Sequence, residues 1–259
     1  MTNVSDLFKA DHGHSNFDFL DVSLDHDTPL FIDLCLIDTG KSEFCKNARR
    51  QLSDYFDEWY ALYKKHSSKD ELLEFFQHSH EINATKLGYG NGNDGKANTP
   101  EGMVATFSSL SGLIDKNIPM STAYDLPIFI ANFAEDRLSD MLTNILLDAL
   151  NKFTLAQCEK YGFRTYNLNG QFYWDCITHA WQNYMGEGLF VNDYDKFVLL
   201  IPKEIVRHSF YYSPEQYFRS VILDRKQKET IFSDDSGNTH KRYKKDIKKS
   251  AGKLNIAWN

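Results

Sequence analysis

The chain has no long hydrophobic run and no paired cysteines, and these absences exclude several classes of protein. No stretch of about eighteen apolar residues occurs, so a transmembrane helix is not expected. The start of the chain, 1–6, has no basic segment followed by an apolar one, so no secretory signal is expected. The four cysteines are scattered and form no C-x-x-C pair, which argues against structural zinc and a disulfide framework. We therefore expect a cytoplasmic protein without a membrane partner.

The common signatures of catalysis are also missing. No G-x-S-x-G nucleophile elbow is present, and the histidine pairs at 12–14 and 78–80 do not have the i, i+4 spacing of a helical zinc site. The stretch 90–96 satisfies G-x-x-x-x-G-K, but Ala97 replaces the Ser or Thr that would hold Mg²⁺, and no strong strand precedes it. Hydrolase triads, zinc proteases and phosphate-loop enzymes receive little support.

Hydrophobic patterning predicts strands separated by helices. Continuous apolar runs, typical of buried strands, occur at Leu30–Ile37, Pro127–Phe133 and Phe197–Ile201. Spacings of three and four residues, with Ser or Thr caps, predict helices over 43–65, 69–79, from Thr99 onward and over 135–162. The pattern favours an α/β or α+β fold, with a mixed central sheet flanked by helices and more helix than strand.

The predicted organisation is one domain over 1–222, beginning with an irregular segment at 1–29, and a basic segment at 223–259. The aromatic stretch 163–195 predicts hairpins or a short helix around 175–184. Residues 83–99 predict a Gly/Asn-rich loop, and a further helix is expected from Pro214 to about Arg225.

Charge is distributed unevenly along the chain. Between Arg225 and Lys253 there are ten Lys or Arg and four Asp or Glu, whereas the rest of the chain carries 19 basic and 32 acidic residues. Cationic side chains bind phosphates, and an aromatic ring can stack on a base, so this segment predicts a DNA or RNA partner. The expected nucleic-acid-binding residues are Lys241, Arg242, Tyr243, Lys244, Lys245, Lys248 and Lys249. A solvated helix, a frayed tail and an arm that docks on an acidic partner subunit are the alternatives.

Three carboxylates, those of Glu135, Asp136 and Asp140, lie where a predicted strand ends and a helix begins. Ions and phosphates are commonly held at such positions in α/β proteins. At about 100° per residue, Asp136, Asp140 and Asn144 share the helix face opposite the apolar residues. A solvated acidic face is one interpretation and a divalent-cation site is the other. Leu147 is an apolar residue on this polar face, and its position indicates that another part of the protein or a partner covers the face.

Asp33 lies inside the apolar run Leu30–Ile37, where a strand would place it on the same face as Phe31 and Cys35. A buried carboxylate must be paired, lie at an edge or bind a ligand, because an unpaired buried charge is very unfavourable. A structural ion pair with an Arg or Lys is one possibility, and a metal site is the other.

These acids together predict a magnesium site, since Mg²⁺ prefers carboxylate oxygens and can activate water for phosphoryl transfer. The expected metal ligands are Asp33, Glu135, Asp136 and Asp140. Asp136 and Asp140 would also be catalytic, and Lys203, which follows the third predicted strand, would stabilise the phosphate.

The segment 136–141, continuing to Thr154 and Cys158, resembles uncharacterised bacterial proteins of restriction and phage-defence type, and 30–33 adds to the likeness. The resemblance implies a role in antiviral defence and carries over no catalytic residue.

The sequence therefore predicts a nucleic-acid-interacting protein of a bacterial defence-type system, with a Mg²⁺-dependent nuclease as one form of it. Two other functions stay open. One is a non-catalytic subunit of a larger assembly, which docks through its aromatic segment 172–184 or its basic tail. The other is a nucleotide-binding or small-molecule-binding enzyme that uses the Gly/Asn-rich loop as a lid.

Overall fold

The computed structural model describes residues 2–7, 17–80, 82–88, 99–108, 135–191, 196–208, 223, 227, 230–233 and 237–246. The chain divides into two compact units, Met1–Ser209 and Phe210–Asn259. The predicted strand Pro127–Phe133, most of the predicted Gly/Asn-rich loop and nearly all of the predicted helix after Pro214 lie outside the described residues. No helix among the described residues is long and apolar enough to cross a bilayer.

Among the described elements of the first unit, most helices come first along the chain and most of the short strands follow them. Its helices are α1 (Val4–Leu7), α2 (Leu34–Thr39), α3 (Glu43–Lys64), α4 (Lys69–Phe76), α5 (Pro100–Ser108), α6 (Glu135–Ile145) and α7 (Leu147–Tyr161). Its strands are β1 (Phe31–Ile32), β2 (Thr165–Leu168), β3 (Phe172–Asp175), β4 (Ala180–Asn183), β5 (Gly186–Val191), β6 (Lys196–Val198) and β7 (Val206–Arg207). A 3₁₀ helix, Lys203–Ile205, precedes β7. The second unit contains β8 (Ile231–Ser233) and β9 (Thr239–Lys241).

Helix content exceeds strand content, as the sequence predicts, and of the two predicted classes the fold is α+β. The described strands form four small antiparallel sheets, in the orders β1-β7, β2-β5-β6, β3-β4 and β8-β9. The mixed central sheet that the sequence suggested is not found among these strands.

The long helices of the first unit follow their sequence signals closely. Ser42 caps α3 by accepting a hydrogen bond from the Cys45 backbone N–H at 3.1 Å, and Ser68 forms a capping box with Glu71 at the start of α4. The apolar face of α3 is buried, and Tyr55 on that face packs against Trp174 of β3 with ring centroids 4.9 Å apart. Aromatic packing between these elements forms the centre of the core.

The predicted helix over 135–162 is present as two helices that meet at Leu146, whose φ of −88° and ψ of 9° interrupt the regular α conformation. Gly162 ends α7 with φ +73°, a left-handed conformation that glycine adopts without strain. The predicted apolar face of α6 is fully buried: Leu138, Met141, Leu142 and Ile145 are each 0% exposed.

Two strand predictions need correction. The apolar run Leu30–Ile37 contains strand only at Phe31–Ile32, because Asp33 adopts an extended conformation and caps α2 by accepting a hydrogen bond from the Cys35 N–H at 2.7 Å. The run Phe197–Ile201 leaves the sheet after Val198, and Leu199–Ile201 are buried outside any named strand.

The aromatic stretch forms hairpins, and β3 pairs with β4 from Phe172↔Asn183 to Asp175↔Ala180. The alternative of a short helix around 175–184 is therefore wrong. The N-terminal segment 1–29 is predicted to be irregular, and its described residues contain one helix, the single turn α1. The segment nevertheless contributes to the core, because the side chains of Phe17 and Phe19 are buried.

Candidate functional site

The start of α6 lies beside β1, as the predicted magnesium site requires. Oγ of Ser139 accepts a hydrogen bond from the Ile32 backbone N–H at 3.3 Å, so the second turn of α6 contacts the strand that ends at Asp33. The backbone of Glu135 and Asp136 forms the first turn of α6, but their side chains lie outside the described part of the chain. The two sequence regions that carry the predicted acids thus meet in space.

Asp33 is engaged by protein partners at both carboxylate oxygens. Oδ1 accepts the N–H of Cys35, and Oδ2 lies 3.1 Å from Nε of Arg207 in an ion pair that lacks the linear geometry of a hydrogen bond. Burial raises the pKa of Asp33, and the Cys35 N–H and the Arg207 charge oppose that rise. The structural ion pair that the sequence left open is therefore present.

Lys203 lies in the 3₁₀ helix that contacts the same region. The backbone N–H of Asp33 donates to the carbonyl of Ile205 at 2.8 Å, and the N–H of Lys203 itself donates to the carbonyl of Asp18 at 3.1 Å. The structure thus brings the segment that contains Lys203 next to Asp33. Its side chain is half-buried.

The face of α6 that carries Asp140 and Asn144 is covered. Asn144 is 2% exposed, and its amide donates hydrogen bonds to the backbone carbonyls of His80 and Asp140. Leu147, at the start of α7, is 0% exposed. The expectation of a solvated face is wrong at Asn144, because the segment after α4 packs over it, and Leu147 was the sequence signal for this covering.

No three His, Cys, Asp or Glu side chains are grouped to hold a metal ion in the part of the chain that the structure describes. The predicted magnesium site stays a prediction. The side chains of Glu135 and Asp136 lie outside the described part of the chain, and Asp140 is half-buried.

The predicted nucleic-acid-binding residues lie at and just after β9. Lys241, Arg242, Tyr243 and Lys245 are exposed, whereas Lys244 is half-buried. The Arg242 N–H donates to the Thr230 carbonyl, and the Arg242 carbonyl accepts from Nε2 of Gln227. These hydrogen bonds hold the residue after β9 against the chain that precedes β8. Lys241 lies in strand, Lys244 and Lys245 lie in a helical turn that follows it, and Lys248 and Lys249 lie outside the described residues.

Tyr243 is the aromatic residue of this basic surface. Its side chain is 70% exposed, and Nζ of Lys245 lies 5.4 Å from its ring centroid, within the range of a cation–π interaction. We call Lys241–Lys245 the basic hairpin edge. It combines positive charge with one accessible aromatic ring, which is the combination that binds single-stranded nucleic acid.

A groove that the sequence did not reveal lies between α3, α7 and β3, with a volume of about 730 Å³. Phe44 of α3 and Phe153 of α7 meet in it with ring centroids 6.1 Å apart, and Tyr173 contributes from β3. Ala149 and Ala156 lie about one turn to either side of Phe153 on α7, and their small side chains leave the groove open.

Next to this groove, Asp54 joins α3 to the β3–β4 hairpin. Its Oδ2 accepts from Nε1 of the buried Trp174 at 2.7 Å, and its Oδ1 lies 2.8 Å from Nδ1 of His179. His179 has φ +51°, an unusual conformation for a residue with a Cβ. More than a hundred residues separate Asp54 from both partners, so no local sequence pattern could have indicated the pair.

Comparison with known proteins adds a family but no function. No curated protein and no solved structure matches the chain. A family model described as Domain of unknown function (DUF8370) matches residues 10–213, which contain the ion pair, the groove and the Asp54–His179 pair but not the basic hairpin edge. Because the match spans most of the sequence, the chain belongs to the DUF8370 family of domains of unknown function.

Proposed function

We propose that this protein binds nucleic acid through the basic hairpin edge of its C-terminal unit. The observation that carries the proposal is the exposed ring of Tyr243 among Lys241, Arg242 and Lys245. The setting that we propose, a bacterial defence-type system, depends on the resemblance of the segment 136–141.

The charge difference between the two units supports this function. Residues 210–259 contain 11 Lys or Arg and 6 Asp or Glu, a net charge of +5, whereas residues 1–209 contain 18 and 30, a net charge of −12. The negatively charged phosphate backbone of a nucleic acid attracts the positive unit and repels the negative one. Binding should therefore be concentrated on the C-terminal unit and should weaken as salt is added.

Single strands fit the hairpin edge better than a duplex, because an exposed tyrosine ring can stack only on a base that is itself unstacked. Such stacking contributes about 1–3 kcal/mol per base in other proteins. The cation–π contact with Lys245 places a positive charge over one face of the ring, so a base would stack on the opposite face.

Fluorescence anisotropy with short labelled single-stranded DNA, single-stranded RNA and duplex DNA, over a range of salt concentrations, tests the proposal. The triple variant Lys241→Gln/Arg242→Gln/Lys245→Gln should bind at least about tenfold more weakly and reduce the slope of log K against log salt by about 2. Tyr243→Ala should weaken single-strand binding by about tenfold and leave that slope unchanged.

A matched control removes the same charge from the first unit. Lys46, Lys64 and Lys65 are exposed on or just after α3, so Lys46→Gln/Lys64→Gln/Lys65→Gln should bind nucleic acid as the wild type does. Equal losses in the two triple variants would contradict a specific surface. Unchanged binding in the hairpin variant would remove the proposal.

Cleavage of the bound strand in the presence of Mg²⁺ is the finer part of the proposal. It would depend on Glu135, Asp136 and Asp140, the acids that the sequence places in the first turns of α6. The carboxylate of Asp33 is paired with Arg207. The contact between Ser139 and Ile32 supports it by bringing the start of α6 to the region of Asp33 and Lys203. Asp136→Ala should abolish metal-dependent cleavage without weakening binding, and cleavage that persists in this variant would rule out the assignment.

A further inference from the structure

The groove between α3, α7 and β3 has the dimensions and walls of a small-molecule site. Its volume of about 730 Å³ lies within the range of about 300–1,000 Å³ that ligand pockets occupy. Phe44, Phe153 and Tyr173 supply aromatic surface from three different elements. Flat aromatic molecules pack well against such walls, because rings favour edge-to-face and offset contacts.

Most of the charged side chains of the groove already have partners within the protein. Nζ of Lys152 lies 2.7 Å from Oδ2 of Asp148, and Glu43 pairs with Lys46 at 3.3 Å. Asp175 accepts hydrogen bonds from the Ile177 N–H and from the Thr178 N–H and hydroxyl, which stabilise the turn between β3 and β4. These groups do not need a ligand to satisfy them.

Arg50 differs from the other charged groups of the groove. Arg50 lines the groove, and its guanidinium forms no ion pair with any residue that the structure describes. A guanidinium presents a planar set of donors that matches a carboxylate or a phosphate. The groove therefore offers one cation, beside aromatic walls, to an incoming ligand.

From these observations we infer that the groove binds a flat aromatic molecule that carries one anionic group, with the rings between Phe44, Phe153 and Tyr173 and the anion on Arg50. Two kinds of compound have this chemistry, a nucleoside monophosphate and an aromatic carboxylate. This site lies in the first unit and does not depend on nucleic-acid binding by the basic hairpin edge.

Cys176 provides a reporter inside the groove. Its thiol is half-buried, whereas Cys45 and Cys158 are buried. Cys35 is half-buried as well, but it does not line the groove, and its peptide is distinguished from that of Cys176 by mass. The rate at which iodoacetamide alkylates Cys176, followed by mass spectrometry of the peptide, should fall when a ligand occupies the groove.

The test uses two anions, each with its neutral counterpart: AMP with adenosine, and 1-naphthoate with 1-naphthalenemethanol. At least one anion should raise the melting temperature and slow alkylation of Cys176, and it should bind about tenfold more tightly than its neutral counterpart. Binding of AMP alone would identify a nucleotide site, and binding of 1-naphthoate alone would identify an aromatic-acid site. Binding of both would mean that the groove recognises only the shared chemistry.

Two variants test the two halves of the inference separately. Arg50→Met should remove the preference for the anion over its neutral counterpart, and Ala156→Phe should fill the groove and weaken every bound probe. Arg164→Met, at an exposed position outside the groove, is the charge-matched control and should bind as the wild type does.

Both Arg50 and Ala156 are exposed, and a circular dichroism melt checks that each variant folds. If Ala156→Phe does not fold, Arg50→Met and the protection of Cys176 still decide the question. The inference is overturned if neither anion binds, if both neutral compounds bind as tightly as the anions, or if Arg50→Met retains the full preference for the anion.

Discussion

Asp33 and Arg207 form an ion pair that connects the end of β1 to β7, with Oδ2 of Asp33 3.1 Å from Nε of Arg207. The carboxylate side chain is 3% exposed and the guanidinium side chain 30% exposed, so the acid is buried and the base reaches solvent. This pair gives the buried carboxylate a cationic partner within its apolar run. The same carboxylate also starts α2, since Oδ1 accepts the Cys35 N–H.

Replacing Asp33 should separate its two roles. Asp33→Ala removes both the helix cap and the partner of Arg207, and we expect it to lower the free energy of unfolding by about 2–4 kcal/mol. Asp33→Asn keeps a capping oxygen and loses only the charge, so it should be about 1 kcal/mol less destabilising than Asp33→Ala. Urea unfolding followed by tryptophan fluorescence measures both changes. Equal losses in the two variants would show that the cap contributes nothing.

Asn144 holds the covered face of α6 to the segment after α4. Asn144→Ala removes the hydrogen bond that the buried Asn144 amide donates to the carbonyl of His80, and we expect it to lower the free energy of unfolding by about 1 kcal/mol. Asn144→Asp should cost more, because it places a carboxylate against two carbonyl oxygens. Asn47→Ala, at an exposed position on α3, is the control and should change stability by no more than about 0.5 kcal/mol. If Asn144 were solvated, the three variants would all have about the same free energy of unfolding.

The parts of the fold that the sequence predicted well depend on interactions between neighbours in the chain. The start of α4 is an example, because Ser68 and Glu71 form the capping box within four residues. The run Leu30–Ile37 was assigned wrongly because an apolar stretch fits either a strand or a short helix, and one hydrogen bond from Cys35 to Asp33 decides between them. The exposure of the basic hairpin edge agrees with its composition.

The groove and the Asp54–His179 pair could not be predicted, for a different reason. Arg50, Phe153 and Tyr173 lie on three elements far apart in sequence, and they meet only because Tyr55 and Trp174 pack between α3 and β3. Periodicity indicates which side of a helix is buried but not which element covers it. Information about such sites lies in tertiary packing, which a single sequence does not display.

Stability should depend on pH through His78. Its ring stacks on Phe172 with centroids 3.7 Å apart, and burial, with a smaller contribution from the nearby His80, lowers the pKa of His78 below 6.5. The unfolded chain therefore takes up a proton at this residue before the folded one does. The contribution of His78 to the free energy of unfolding should be present above about pH 6.5 and be lost as pH falls through its lower, folded-state pKa.

His78→Phe keeps the stacking and removes the titration, so its free energy of unfolding should decrease less than that of the wild type between about pH 7.5 and about pH 5. Urea unfolding at the two pH values measures the difference. His66→Asn changes an exposed histidine and should keep the wild-type dependence. If His78→Phe loses as much stability as the wild type on acidification, the pH dependence has another source.

Asp54 accepts from one buried donor, Trp174, and contacts one exposed donor, His179. We expect the two contacts to contribute unequally to the free energy of unfolding. Nε1 of Trp174 belongs to a side chain that is 1% exposed, whereas the His179 side chain is 51% exposed and can turn to water. Asp54→Ala leaves the buried indole N–H without an acceptor and should cost about 1–3 kcal/mol, while His179→Ala should cost no more than about 1 kcal/mol. Urea unfolding measures both, and circular dichroism confirms that each variant folds. The carboxylate of Asp54 keeps its hydrogen bond to Trp174 when the His179 imidazole is removed. Equal destabilisation by the two substitutions would therefore mean that His179 stabilises the hairpin through interactions other than its contact with Asp54.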